Sequence, residues 1–162
     1  MKNEELWKGL ALGTAAGLIG TLVIQGSMMA TRKWRPDLLP PAKEDPGKFM
    51  VEKVESTLPD RTAARIPEGL EKISAKLLAF GYGATFGLLY GALDRKRKGI
   101  VLDGALLGMA TWAVGYLGWL PAVGLTPPVW KQRAKKVLPN IGSHVVYGMT
   151  TTGIYSAVRD RI

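Results

Sequence analysis

Four apolar blocks, each about 20 residues long, constrain the fold of this 162-residue chain more than any other feature. They cover approximately residues 7–30, 72–93, 100–120 and 137–158. A helix of that length spans a hydrocarbon core of about 30 Å, and backbone groups that meet no water must bond within their own helix. The sequence therefore predicts an all-α integral membrane protein with four transmembrane helices in a single domain.

The residue types inside these blocks favour membrane helices over four buried helices of a soluble bundle. Most of the 20 glycines lie in the blocks. Glycine costs a soluble helix about 1 kcal/mol relative to alanine, whereas membrane helices use it where two backbones approach closely. Tryptophans, which prefer the membrane interface, lie at or near block ends at Trp7, Trp34, Trp119 and Trp130. The exception is Trp112, in mid-helix.

The charges of the chain lie mostly between the blocks. The net charge is +9, and cysteine is absent, which excludes disulfides and thiolate metal sites. Basic residues that flank apolar blocks favour contact with anionic lipid headgroups over contact with nucleic acid. With four crossings, both termini lie on the side of the short loop 94–99, which contains four consecutive basic residues. Short basic loops predict a cytoplasmic location for that side.

The first connection, residues 31–71, is long and contains the segment PGKFMVEKVESTL at 46–58. Its apolar residues Phe49, Met50, Val54 and Leu58 fall on one side of a helix. This pattern predicts a short amphipathic helix that lies on the membrane surface or caps the bundle. Pro67 suits the first position of the second long helix.

Two stretches nearly repeat each other, YGATFGLLYGAL at 82–93 and YGMTTTGIYSAV at 147–158. In this alignment Gly83, Gly87 and Gly91 match Gly148, Thr152 and Ser156, so a small residue recurs every four positions in both stretches. Such a stripe lets another helix backbone approach closely.

The other two blocks also resemble each other, since Gly13 and Gly17 match Gly104 and Gly108. The connections that follow them carry the echoing sequences LLPP at 38–41 and LTPP at 125–128. Together the echoes predict a duplicated two-helix hairpin, with a pseudo-twofold axis along the membrane normal. The glycines predicted to pack helices are Gly13, Gly17, Gly83, Gly87, Gly91, Gly104, Gly108 and Gly148.

His144 is the only histidine, and it lies one turn before the small stripe of the fourth block. An ionisable side chain at that depth is a candidate for function. Three interpretations are open: a neutral ring hydrogen-bonded across the bundle, an axial ligand to a haem or a chlorophyll-type magnesium, and a group that handles protons or substrate. A structural zinc site needs four ligands, which the sequence does not supply.

Three further polar residues are candidates for ligand or proton handling: Thr151, Gln25 and Asp103. Asp103 follows the basic loop and suits an interfacial ion pair or a polar cavity. Threonine in membrane helices mostly bonds nearby backbone, so Thr151 is weak support for a pore. No nucleophile–base pair and no phosphate-binding glycine loop can be argued, and no enzyme activity or cofactor is predicted.

The run LGWLPAVGLTPPVWKQRAKKVLPNIGSHVVYG at 117–148 resembles YagU-like proteins, which are small bacterial four-helix membrane proteins. The likeness rests on the Pro-Pro connection, the basic stretch and the Tyr-Gly motif. It implies a multi-pass protein of the bacterial inner membrane and implies no reaction. The predicted role is a non-enzymatic structural or accessory subunit that packs through small-residue stripes against itself or other subunits. The alternatives are a small transporter or channel with a polar path near His144, and a haem- or pigment-binding subunit.

Overall fold

The computed structural model describes residues 2–44, 46–57, 69–93 and 99–161 of the chain. All regular secondary structure in these ranges is helical, which confirms the predicted all-α class. Two helices are long and apolar enough to cross a membrane, Asn3–Trp34 and Ile100–Ala122.

The first helix, α1, extends over Lys2–Trp34 and so exceeds the first apolar block at both ends. Its first turn carries Glu4 and Glu5, which suit the positive end of the helix dipole. Lys8 pairs with Glu4 at 3.1 Å, one turn apart. Charges outside the apolar block thus continue the helix, and the first connection is correspondingly shorter than predicted.

Within the first connection, a 3₁₀ turn at Pro36–Leu38 is followed by helix α2, Pro46–Glu55. This short helix packs against α3, Gly69–Ala92. It therefore lies on the helix bundle, which is one of the two positions that the sequence predicts for it. The side chains of Phe49 and Met50 are half-buried. Four predicted features lie outside the described part of the chain: the side chain of Val54, the residues Leu58 and Pro67, and the basic loop 94–98.

Helix α4 begins as Ile100–Ala113, widens into a π-helical turn at Val114–Trp119, and ends with Leu120–Ala122. Pro121 accounts for the widening, because a proline has no N–H to donate and its ring collides with the preceding turn. Gly118, within this turn, has non-helical backbone angles, φ −98° and ψ −107°, which accommodate the change of pitch. The apolar pattern predicted a helix here and did not predict its change of pitch.

The last helix, α5, covers Ala134–Arg159 and contains Pro139 in its second turn. Among the long helices, α1 packs on α3, α4 packs on α5, and α1 also packs on α5, while α3 and α4 make only a slight contact. The two connections meet at one end of the bundle, where the Lys43 N–H donates to Leu125 O at 3.0 Å. We call α1 with α3 the first hairpin, and α4 with α5 the second hairpin.

The distribution of side chains is the reverse of that in a water-soluble bundle. The interior contains small and hydroxyl side chains, and Thr151 and Thr152 are completely buried. The outside of every long helix carries large exposed aliphatic side chains. Their exposed fractions are 58% for Leu22, 50% for Leu89, 54% for Leu106 and 45% for Val146.

Candidate functional site

In the first hairpin, backbone packs directly on backbone. Gly9 faces Gly91, and a Cβ built on Gly9 would lie 2.7 Å from the carbonyl oxygen of Gly91. One turn further along, Gly13 faces Gly87, where an added Cβ would collide with the opposite carbonyl oxygen. No side chain larger than hydrogen fits at these contacts, so glycine sets the distance between the two helices.

The second hairpin has a similar contact, formed by Gly104, Gly108 and Gly148. A Cβ built on Gly148 would lie 2.6 Å from the backbone nitrogen of Gly108. The glycines predicted to pack helices therefore lie at two contacts inside the chain. Those of the first hairpin are Gly13, Gly17, Gly83, Gly87 and Gly91, and those of the second are Gly104, Gly108 and Gly148.

A polar cluster joins α4 to α5 beyond the glycine contact, and we define it as Trp112, Tyr116, Asn140 and His144. Trp112 Nε1 donates a buried hydrogen bond to Asn140 Oδ1 at 2.8 Å. The Tyr116 ring stacks on Trp112 with centroids 6.2 Å apart, and it meets the His144 ring edge-on at 5.7 Å. The π-helical turn places Tyr116 in this cluster, because Tyr116 lies within Val114–Trp119.

The hydrogen bond of His144 defines which ring nitrogen carries the proton. His144 Nδ1 lies 2.8 Å from the carbonyl oxygen of Asn140, one turn earlier in the same helix. A carbonyl oxygen only accepts, so Nδ1 is the donor, and in the neutral ring Nε2 has the free lone pair. The ring can therefore accept a proton or ligate a metal only through Nε2.

The other predicted site residues are distributed over different parts of the bundle. Thr151 is buried and donates to Tyr147 O at 2.9 Å, within its own helix. Gln25 is exposed on α1, so it lies outside the buried group that contains Thr151. Asp103 lies half-buried in the first turn of α4. The structure therefore brings neither Gln25 nor Asp103 into the polar cluster around His144.

Two tyrosines at matched positions connect the hairpins. Tyr82 Oη donates to the carbonyl oxygen of Thr111 at 2.7 Å, from α3 to α4. Tyr147 Oη donates to the carbonyl oxygen of Gly83 at 2.6 Å, from α5 to α3, and this bond is buried. Both hydroxyls satisfy backbone carbonyls that already take part in helices, so these bonds link helices without disturbing either one.

Sequence reasoning missed the pairing of Trp112 with Asn140. The available signal was the position of Trp112 in the middle of an apolar block, whereas tryptophans of membrane helices usually lie near the helix ends. A buried tryptophan needs a partner for its indole N–H. No family model, curated protein or solved structure matches the chain. The resemblance to YagU-like proteins stays a prediction.

Proposed function

We propose that this chain is a multi-pass protein of the bacterial inner membrane whose four long helices all cross the bilayer, and that it serves as a non-enzymatic structural or accessory subunit. The observation that carries the proposal is the reversed distribution of side chains. Leu22, Leu89, Leu106 and Val146, one from each long helix, are all about half exposed. In water such apolar surface promotes aggregation, whereas in a bilayer it contacts acyl chains.

We propose also that the two hairpins are related copies, and their glycine contacts support this. Gly17 lies against Gly83 in the first hairpin, and Gly108 lies against Gly148 in the second. The sequence alignment matches Gly17 with Gly108 and Gly83 with Gly148. The contact of Gly17 with Gly83 in the first hairpin is thus equivalent to the contact of Gly108 with Gly148 in the second. This is expected for two copies of one unit.

Contacts between the hairpins support the same relation. Tyr82 bonds to Thr111 of α4, and its counterpart Tyr147 packs against Gly20 of α1, where an added Cβ would lie 2.9 Å from the ring. Extending the match of Gly17 with Gly108 by three residues pairs Gly20 with Thr111. Each tyrosine therefore reaches the equivalent position of the opposite hairpin.

The accessory role is supported by how the interior polar groups are used. Two interior hydroxyls donate to helix backbones: Thr21 donates to Gly17 O of its own helix at 2.8 Å, and Thr152 of α5 donates to Ile100 O of α4 at 3.1 Å. The first bond satisfies a hydroxyl inside the bundle and the second links two helices, which suits a packing function. Because the predicted packing glycines are occupied within the chain, a partner subunit would contact the outer aliphatic faces instead.

One observation favours the haem- or pigment-binding alternative. An axial histidine commonly donates its other ring N–H to a backbone carbonyl, and His144 does so through Nδ1. If this alternative holds, protein purified from a pigment-competent host absorbs visible light, and His144→Ala abolishes the absorption. A colourless preparation of the folded parent chain, which retains His144, would rule out this alternative.

The absence of native cysteine makes the membrane proposal directly testable by single-cysteine labelling. Substitutions at Leu22, Leu89, Leu106 and Val146 are expected to resist a water-soluble maleimide in membranes and to react after denaturation. Lys43→Cys and Arg161→Cys, both at exposed positions, are expected to react from opposite sides of the membrane. Fast labelling of these four aliphatic sites, with the protein in the aqueous fraction, would contradict the proposal.

The same labels determine orientation. We propose cytoplasmic termini, from the basic loop 94–99, so Lys43→Cys should react in intact spheroplasts and Arg161→Cys only after permeabilisation. The opposite end carries a comparable basic segment, with Lys131, Arg133 and Lys135 in the second connection and the start of α5. If Arg161→Cys reacts in intact spheroplasts and Lys43→Cys only after permeabilisation, the proposed orientation is wrong. That result would still agree with four crossings.

The subunit role is tested by the size of the native particle. In mild detergent, at the natural expression level, the 17.5 kDa chain is expected to migrate in a larger, defined complex. Migration as a single chain would contradict the role of an accessory subunit.

A further inference from the structure

The segment Trp130–Lys136 concentrates positive charge without acidic residues near it in the sequence. Four of its seven residues are basic: Lys131, Arg133, Lys135 and Lys136. The whole stretch 104–159 contains no aspartate or glutamate. Any negative charge that neutralises this segment must therefore come from elsewhere in the chain or from outside it.

The described residues supply little of that charge. Asp37 lies 4.0 Å from Lys135 Nζ, and it also pairs with Arg35 Nε at 3.3 Å. The hydrogen bond from Arg35 holds the pKa of Asp37 below its usual value, so this carboxylate stays ionised and is shared by two cations. Among the described residues, Lys131, Arg133 and Lys136 form no ion pair with a carboxylate.

Exposed tryptophans place this segment at the depth of lipid headgroups. Trp130 directly precedes the basic residues and is 78% exposed, and Trp34 at the end of α1 is 71% exposed. The Asp37–Lys135 contact brings the end of α1 close to the start of α5. Tryptophan rings prefer the boundary between headgroups and acyl chains, so the neighbouring cations would lie among phosphates.

We propose that the Trp130–Lys136 segment is a binding surface for anionic phospholipids, with Lys131, Arg133 and Lys136 contacting headgroup phosphates. The inference rests on the proposed membrane location and adds a preference for lipid charge. An acidic segment of another protein is the competing occupant. The exposed tryptophans favour lipid, because a soluble acidic segment gives them no apolar layer to enter.

The test compares lipid preference in nanodiscs that contain the full chain. Phosphatidylglycerol and phosphatidylcholine with brominated acyl chains quench tryptophan, and subtracting a Trp130→Phe sample isolates the signal of Trp130. One charge at a membrane surface changes lipid affinity about fivefold. We expect a preference of at least about fivefold for phosphatidylglycerol in the parent chain.

The test variant replaces Lys131, Arg133 and Lys136 by glutamine, and it should lower the preference to near one. The matched control replaces Lys43, Lys48 and Lys53 by glutamine. It removes the same charge from the first connection, where Lys48 already pairs with Glu52 at 3.1 Å. This control should keep the preference of the parent chain.

Each outcome separates the two proposals. Equal quenching by both lipids in a correctly inserted parent chain would overturn the lipid surface alone. A chain that enters neither kind of nanodisc would overturn the membrane proposal and the lipid surface together. Equal quenching, combined with binding of a polyglutamate peptide to the parent and not to the glutamine variant, would assign the surface to an acidic protein segment.

Discussion

The two hairpins use similar glycines, yet they are held together differently. In the first hairpin, Gly9, Gly13 and Gly17 pack along Gly83, Gly87 and Gly91. In the second, the glycine contact is shorter, and side-chain bonds such as Trp112 to Asn140 extend the interface. Where backbones touch throughout, the contact tolerates no added atoms. Where side chains continue the contact, the interface tolerates size changes better and depends on polar partners.

The largest expected effect is the substitution of Gly87 by leucine in the first hairpin. Its Cβ would collide with the Gly13 carbonyl oxygen, which belongs to a helix backbone and cannot move aside. We expect a loss of about 3 kcal/mol or more in the free energy of unfolding, measured by thermal or denaturant unfolding in detergent. Gly148→Leu should cause a similar loss in the second hairpin, because it meets the backbone of Gly108.

Matched controls exist in both helices. Gly81 and Gly142 have no atom within 4 Å of a built Cβ, so Gly81→Leu and Gly142→Leu should change stability by less than about 0.5 kcal/mol. If Gly87→Leu unfolds at the same temperature as Gly81→Leu, the close-contact interpretation of the first hairpin is wrong.

A medium effect is expected for Asn140→Leu, which tests the polar part of the second hairpin. It leaves the buried indole N–H of Trp112 without its acceptor, at a cost of about 1–2 kcal/mol. The bond of His144 is to the backbone of residue 140, so it survives the substitution. Because Trp112→Phe removes the donor, the double variant should lose less than the sum of the two single variants. Additive losses, measured in the same unfolding assay, would argue against the bond.

The smallest effects are expected for Tyr82→Phe and Tyr147→Phe. Each removes one hydroxyl bond to a backbone carbonyl, worth about 0.6 kcal/mol in a membrane protein. The two losses should add because the acceptors lie in different helices. Thr85→Val is the control, since its exposed hydroxyl bonds only within its own helix. A loss no larger than that of Thr85→Val would argue against the bond of that tyrosine.

Much of the fold followed from the sequence because apolar length and glycine spacing are local signals. The helices that the sequence placed at about 7–30 and 137–158 extend further, since charged residues such as Glu4 and Lys135 continue a helix outside its apolar block. The contacts of Gly87 and Gly148 lie where the four-residue spacing placed them. These features depend on residues a few positions apart, which a single sequence displays directly.

The candidate site was less predictable, because it depends on which helix faces which. His144 was identified by its rarity, but its partner Tyr116 comes from a π-helical turn of another helix, and Asn140 lies one turn earlier in its own helix. Gln25 shows the opposite problem: it is polar and in mid-block, yet its side chain is exposed. Hydropathy does not report the direction of a side chain around a helix. It therefore could not distinguish His144, which contacts another helix, from Gln25, which faces outward.

The contact between Tyr90 and Tyr155 has a consequence for the history of the chain. These residues occupy matched positions in the two repeated stretches, and their rings meet at 5.2 Å, nearly perpendicular at 80°. Matched residues touch each other only beside a symmetry axis. If the hairpins arose by duplication, the ancestor was a single hairpin that paired with an identical copy, with one tyrosine packing against itself.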